Sequence, residues 1–169
     1  TMSTLVKVIA MATLYKLLTA MNADLSNAFI NILIIVSIAS MTVGNIMALK
    51  QTNVKRMLAF SGISHAGFML MALLSISNSA ANLLYYATAY SLSGIAAFAV
   101  ILYVCKNRDN EDIANFNGLG KNNPVMAVVL TAALLSMAGI PIFAGFFAKL
   151  VLFSQTIQAG YLLVVIAAV

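Results

Sequence analysis

The sequence predicts an all-α protein: a polytopic transmembrane helix bundle of six segments, the fifth of them a discontinuous helix. Three observations carry that prediction. Of 169 residues, 63% are hydrophobic and only 8% are charged, with a mean hydropathy of +1.02. A soluble domain carries about 25% charged residues, so these residues cannot build a water-facing surface. The charges are also clumped: no Asp, Glu, Lys or Arg occurs between Asp24 and Lys50, between Arg56 and Lys106, between Lys121 and Lys149, or after Lys149. A bilayer span needs about 20 mostly apolar residues, and these gaps have room for several. Third, the alternating pattern of a transmembrane β-barrel is missing.

The segments run over 1–20, 27–49, 57–75, 80–105, 124–153 and 159–169. Turns fall at Asn22 to Ser26, Lys50 to Lys55 and Ser75 to Ser79. A longer polar loop covers Lys106 to Asn123, and an uncharged turn lies around Gln155 to Gly160. The first and last segments read as truncated, so residues 1–169 are expected to be a single membrane-domain fragment of a longer chain. No signal peptide is visible. One cysteine, Cys105, excludes an internal disulfide and a Cys-rich metal site.

Basic residues alternate from turn to turn. Lys50, Lys55 and Arg56 mark one, and Lys106, Arg108 and Lys121 mark the loop, whereas the intervening turns hold none and only Lys16 lies near the first. By the positive-inside rule the turns at 50–56 and 106–121 are expected to be cytoplasmic, with the first segment running outward. The net charge of +5 then reflects topology, not nucleic-acid binding. Tyr85, Tyr86 and Tyr103 lie near segment ends, where amphipathic rings favour the membrane interface.

The fifth segment is too long. About 30 residues of unbroken helix would span about 45 Å, against about 30 Å of hydrocarbon. Gly139-Ile140-Pro141 sits in its middle, followed by Gly145, and proline removes a backbone donor and clashes with the preceding turn. Lipid cannot satisfy carbonyls freed by a break, so the break must face protein or water, as in transporters. A tilted, merely kinked helix is the plainer alternative.

Three ionisable groups lie inside apolar segments: Lys7, His65 and Lys149. A lysine at the bilayer centre costs about 2.5–3.5 kcal/mol on insertion scales, so such residues usually point into a bundle. Snorkelling to the interface remains open for Lys7 and, less easily, for Lys149, which still has apolar Leu150 to Phe153 ahead of it. His65 lies roughly 14 Å of helical rise beyond Arg56, near the midplane. With Ser61, Gly62, Ser64 and Gly67 it makes a small, polar strip, fitting either a structural hydrogen bond between helices or a proton carrier. Two lysines and a histidine, with every acidic residue in a turn, suit proton translocation. Moving one proton against about 150 mV needs about 3.5 kcal/mol, an energy that repositioning one neighbouring charge can supply in a low-dielectric interior. No H-E-x-x-H, Walker A or G-x-G-x-x-G motif is present. Redox or hydrolytic chemistry on this chain is not expected.

The stretch from Gly44-Asn45 through Ala48-Leu49-Lys50-Gln51-Thr52-Asn53 and Lys55-Arg56 to Ser61-Gly62-Ile63-Ser64-His65-Ala66-Gly67 resembles the antiporter-like membrane subunits of respiratory complex I. These share ancestry with Mrp-type cation/proton antiporters. Leu135-Ser136 to Gly139-Ile140-Pro141, then Gly145 and Lys149, is similar to their second discontinuous helix with its lysine. Within the family the Gly-Asn before the Gln-Thr-Asn run is similar to the N-type branch; the L and M types more often have Asp in place of Asn53. The resemblance covers all 169 residues and implies helices 8 to 13 of about 14, with Lys7, His65 and Lys149 on a mid-membrane proton relay. It implies that the family's upstream glutamate and second lysine lie outside this piece. It also implies a multi-pass protein of the cell inner (plasma) membrane, a translocase subunit, whose partners are NuoM-like, NuoK-like and NuoJ-like membrane subunits and the lipid bilayer. No cofactor is expected on this chain, since NADH, FMN, Fe–S clusters and quinone belong to other parts of the complex. The rival functions are an Mrp-type Na⁺/H⁺ antiporter subunit and a structural membrane subunit of a related hydrogenase. Upstream sequence and gene neighbours separate them.

Overall fold

The computed structural model describes residues 5–20, 27–74, 79–106, 108 and 110–169. It is all-helical: α1 (Leu5–Ala20), α2 (Asn27–Leu49), α3 (Val54–Ala72), α4 (Ser79–Val104), α5 (Leu119–Asn122), α6 (Pro124–Ala138), α7 (Ala144–Gln158) and α8 (Leu162–Ala168), with a 3-10 turn at Ile113–Phe116. The expected turn at Asn22 to Ser26 lies outside the described residues, as do positions 75–78 of the next uncharged turn and the start of the first segment. Among the described residues, α2 and the Ala80–Val104 stretch of α4 are long and apolar enough to cross a membrane.

The α2–α3 hairpin is the tightest pairing, and small residues make it so. A side chain at Gly67 would come within 2.7 Å of Met41 Cγ and 2.9 Å of the Ser37 carbonyl. Where neighbours are as apolar as lipid, helices associate through such close van der Waals approach and interhelical hydrogen bonds. Both occur here. Ser37 Oγ donates to Gly67 O at 2.9 Å, and Ser64 Oγ donates to Asn45 Oδ1 at 2.8 Å.

α3 is the central helix. Gly67 through Ala72 are all buried, and Phe68, Met69 and Met71 pack with Tyr86 and Tyr90 of α4 and Leu152 of α7 in the main core. A second cluster joins Val54 and Leu58 to Ala97, Ile101 and Ala133 at the other end. The outward faces are apolar: Ile35 is 67% exposed, Leu92 71%, Val125 71% and Leu163 78%. Such a surface calls for lipid or protein around it.

Two boundaries differ from the sequence expectation. α3 starts at Val54, three residues before the apolar run, because Asn53 caps it: its Oδ1 accepts from Arg56 N at 3.1 Å. Lys55 and Arg56 are therefore helical. α7 runs on to Gln158, past the expected end at 153, and the turn that follows is correspondingly short.

The polar loop is also more ordered than its composition suggests. Val54 N donates to Glu111 O and Ile113 N to Thr52 O, both at 2.9 Å, making an antiparallel bridge between Asn53 and Asp112. Lys55 and Glu111 add an ion pair. The two basic turns are thus tied together at one end of the bundle.

Between α6 and α7 the backbone leaves the helix for residues 139–143. Each of these helices has 15 residues, so each is about 22 Å long, shorter than a hydrocarbon core. The stop is made by Gly139, at φ 85°, whose N–H bonds Ser136 O while Ile140 N bonds Leu135 O. This is a Schellman cap, and it ends α6 before Pro141 is reached. Ile142 lies at φ 112°, a strained setting for a β-branched residue.

Candidate functional site

His65 sits in the buried half of α3, 6% exposed, beside the Ser64 that is bonded to α2. Its Nδ1 shares a 2.7 Å hydrogen bond with Tyr86 Oη of α4. Its ring stacks obliquely on Tyr90, centroids 4.6 Å apart, with Phe68 and Tyr86 at 6.1 and 6.0 Å. Tyr86 and Tyr90 stand four apart on α4, so both point to one face, where α3 packs. Ser93, one turn further on, shares a 2.9 Å hydrogen bond with Ser136 of α6.

Lys7 enters from α1. Its side chain is half-buried and its ammonium rests on the α3 backbone at Gly62, beside the Tyr90 hydroxyl. The amine lies against the face of α3 that also carries His65.

Lys149 reaches the same place from α7. Nζ donates to Ala138 O at 3.0 Å, one of the carbonyls left without a helical partner where α6 stops. The C-terminal end of a helix carries partial negative charge, so an ammonium is favoured there. On its other side Nζ lies 4.9 Å from the centre of the Phe68 ring, a cation–π contact of a kind contributing about 0.5–2 kcal/mol. Gly145 permits the arrangement, since a Cβ there would run into Ser136 O and push α7 away from α6. Gly139 likewise lies against the aliphatic stem of Lys149, where a Cβ would stand 3.0 Å from Cδ.

Lys7, His65 and Lys149 are thus brought toward one interior region, Lys7 through Tyr90, whose ring packs on the imidazole, and Lys149 through a shared void. Lys149, His65, Tyr86 and Tyr90 line one small void. A separate cavity of about 620 Å³, mostly apolar but with Asn45, Gln51, Ser61 and Ser64 in its walls, also borders His65 and Lys149. Titratable nitrogens and hydroxyls in hydrogen-bonding reach of one another can carry a proton between groups. Among the described residues no group of three His, Cys, Asp or Glu could hold a metal ion.

Sequence reasoning missed Tyr86 and Tyr90. Tyr86 was expected at the membrane interface with Tyr85 and Tyr103, yet it is 3% exposed and bonded to His65, while Tyr85 is 43% and Tyr103 54% exposed. The signal was present, as Tyr86, Tyr90 and Ser93 follow helical spacing. Asn82 was missed as well; its Nδ2 donates to Gln155 Oε1 of α7 at 2.8 Å.

The whole chain, residues 1–169, matches the family model described as NADH:quinone oxidoreductase/Mrp antiporter, transmembrane. It is 67% identical to the NADH-quinone oxidoreductase subunit N of Flavobacterium johnsoniae over 99% of its own length and 38% of that protein's. For the subunit of the same name from Flavobacterium psychrophilum the identity is 59%, over 100% of this chain and 37% of the relative. The chain therefore spans somewhat over a third of the length of these curated relatives. Its fold is similar to a chain of respiratory complex I from Thermus thermophilus with bound aureothin: TM-score 0.75, 34% identity, 82% of this chain and 31% of that one.

Proposed function

The chain belongs to the NADH:quinone oxidoreductase/Mrp antiporter transmembrane family, and from that premise we propose that it is part of a proton-translocating subunit N of respiratory complex I. NADH oxidation and quinone reduction take place on other subunits, and this segment moves H⁺. The observation that carries the reading is the meeting of Lys7, His65 and Lys149, from three different helices, around one buried imidazole. Ammonium groups in a membrane interior are rare and usually functional. Here each amine is turned inward.

α6 and α7 are the two halves of one discontinuous membrane helix, and α1, α2, α3, α4 and α8 supply the other segments. The linked basic turns face the cytoplasm of the cell, following the positive-inside rule. Lys149 works at the break, where the α6 terminus and the Phe68 ring hold its charge without a carboxylate. The neighbouring membrane subunits, of the NuoM, NuoK and NuoJ types, cover the remaining apolar surface.

Lys149→Ala in the full-length subunit tests the reading. With the assembled complex in vesicles, NADH-driven acidification is expected to fall at least about tenfold, the scale for losing a proton-transfer group, while the complex assembles normally. Undiminished pumping in that variant would assign Lys149 a purely structural role.

A further inference from the structure

Gly62 cannot titrate, yet it stands directly against the Lys7 amine. A side chain there would overlap Lys7 Nζ, and its first carbon would lie 2.9 Å from Tyr90 Oη and 3.7 Å from Lys7 Cε. The ammonium and the tyrosine hydroxyl therefore converge on one point above the α3 backbone, and that point is open only because residue 62 ends at Cα. Tyr90 is 6% exposed, and its ring packs on the imidazole of His65, centroids 4.6 Å apart and planes 35° from parallel. One side chain thus stacks its ring on His65 and brings its hydroxyl to the point where the Lys7 ammonium rests.

We propose that Gly62 and Tyr90 are positioning residues that hold the Lys7 ammonium toward His65: the bare backbone at 62 provides the seat, and the Tyr90 hydroxyl forms its polar wall. The inference rests on the proton-relay reading of Lys7. The competing explanation for a buried glycine is helix packing, and the neighbours argue against it. Gly67 meets a backbone carbonyl and Met41, as a packing glycine does, whereas Gly62 meets only the tips of Lys7 and Tyr90. An alanine at 62 can be accommodated by the flexible lysine swinging aside, and alanine is the better helix former. Its effect should therefore fall on the amine and leave the bundle intact.

The test uses the full-length subunit in the assembled complex, reconstituted in vesicles, with NADH-driven pumping followed across pH. Gly62→Ala and Tyr90→Phe are each expected to lower pumping at least about tenfold, since misplacing a reacting group by about an ångström has effects of that size. Each is also expected to move the midpoint of the pH profile by about one unit, because the ammonium has changed its surroundings. Tyr90→Phe removes a single oxygen and keeps the ring, so it carries the test should Gly62→Ala fail to assemble. A profile lowered equally at every pH, with its midpoint unmoved, would assign both residues to packing and overturn the proposal. Lys7→Ala is the control. If it is impaired while Gly62→Ala and Tyr90→Phe pump normally, the seat is refuted and the relay stands; if Lys7→Ala itself pumps normally, the relay reading of Lys7 fails and the seat falls with it.

Discussion

At the scale of single residues, the interior of this bundle handles polarity through specific hydrogen bonds between helices. The His65–Tyr86 contact is the clearest case, a 2.7 Å bond between two side chains that water does not reach. Removing one partner of a buried pair leaves the other unsatisfied, which costs about 1–3 kcal/mol. Tyr86→Phe should lower the stability of the purified complex by that order, read as a reduced thermal midpoint. Exposed Tyr85→Phe, one residue away, should leave it within about 0.5 kcal/mol. Equal effects would mean that the hydroxyl of Tyr86 contributes nothing. Some of the polar residues gathered here are conspicuous in the sequence. Lys7, His65 and Lys149 stood out because ionisable groups are costly in lipid. The tyrosines did not, because a ring with a polar tip suits both an interface and a core, and composition alone does not distinguish the two. Spacing along α4 would have done so.

Secondary elements show where sequence rules compete. The helix stop between α6 and α7 was expected from Pro141, the strongest breaker in the sequence. In the structure the chain turns two residues sooner, because Gly139 takes the left-handed conformation and closes the Schellman cap. Proline only forbids the helix from resuming at once. Two substitutions separate these contributions. Pro141→Ala should leave α6 ending at Ala138, whereas Gly139→Ala should cost about 1–2 kcal/mol for placing a Cβ in that conformation. Cryo-EM maps and thermal midpoints of the two variants check this; a straightened α6 in Pro141→Ala would return the role to proline. The early start of α3 has a similar origin. Lys55 and Arg56 read as turn residues by polarity, but a cap at Asn53 satisfies the first turn and draws both into the helix.

For the whole molecule, hydropathy pointed to an all-helical bundle, and the described residues are all-helical; charge alternation marked two basic turns for one side of it. Neither could foresee that the 50–56 turn and the 106–121 loop touch, because strand-like bridging between two short polar stretches leaves no periodic signature. The bridge between Asn53 and Asp112 joins the two stretches at that end of the bundle, where Gln51 and Ile113 border the cavity. Its strength should lie in the two backbone hydrogen bonds and not in the Lys55–Glu111 pair, whose side chains are 36% and 31% exposed. Pairs so open to solvent contribute about 0–1 kcal/mol and are screened by salt. Glu111→Ala should therefore change the thermal midpoint little at low salt and not at all at high salt. A large loss that persists in high salt would make the ion pair the principal fastening.

The bond from Lys149 to Ala138 O carries a consequence for the hinge it closes. An alkylammonium has three N–H groups and the neutral amine still has two, so the terminal carbonyl of α6 can keep its donor whichever form is present. What changes is the strength, because a charged donor binds roughly twice as firmly as a neutral one. The joint between the two short helices would stiffen with each arriving proton and slacken with each departing one, without having to open.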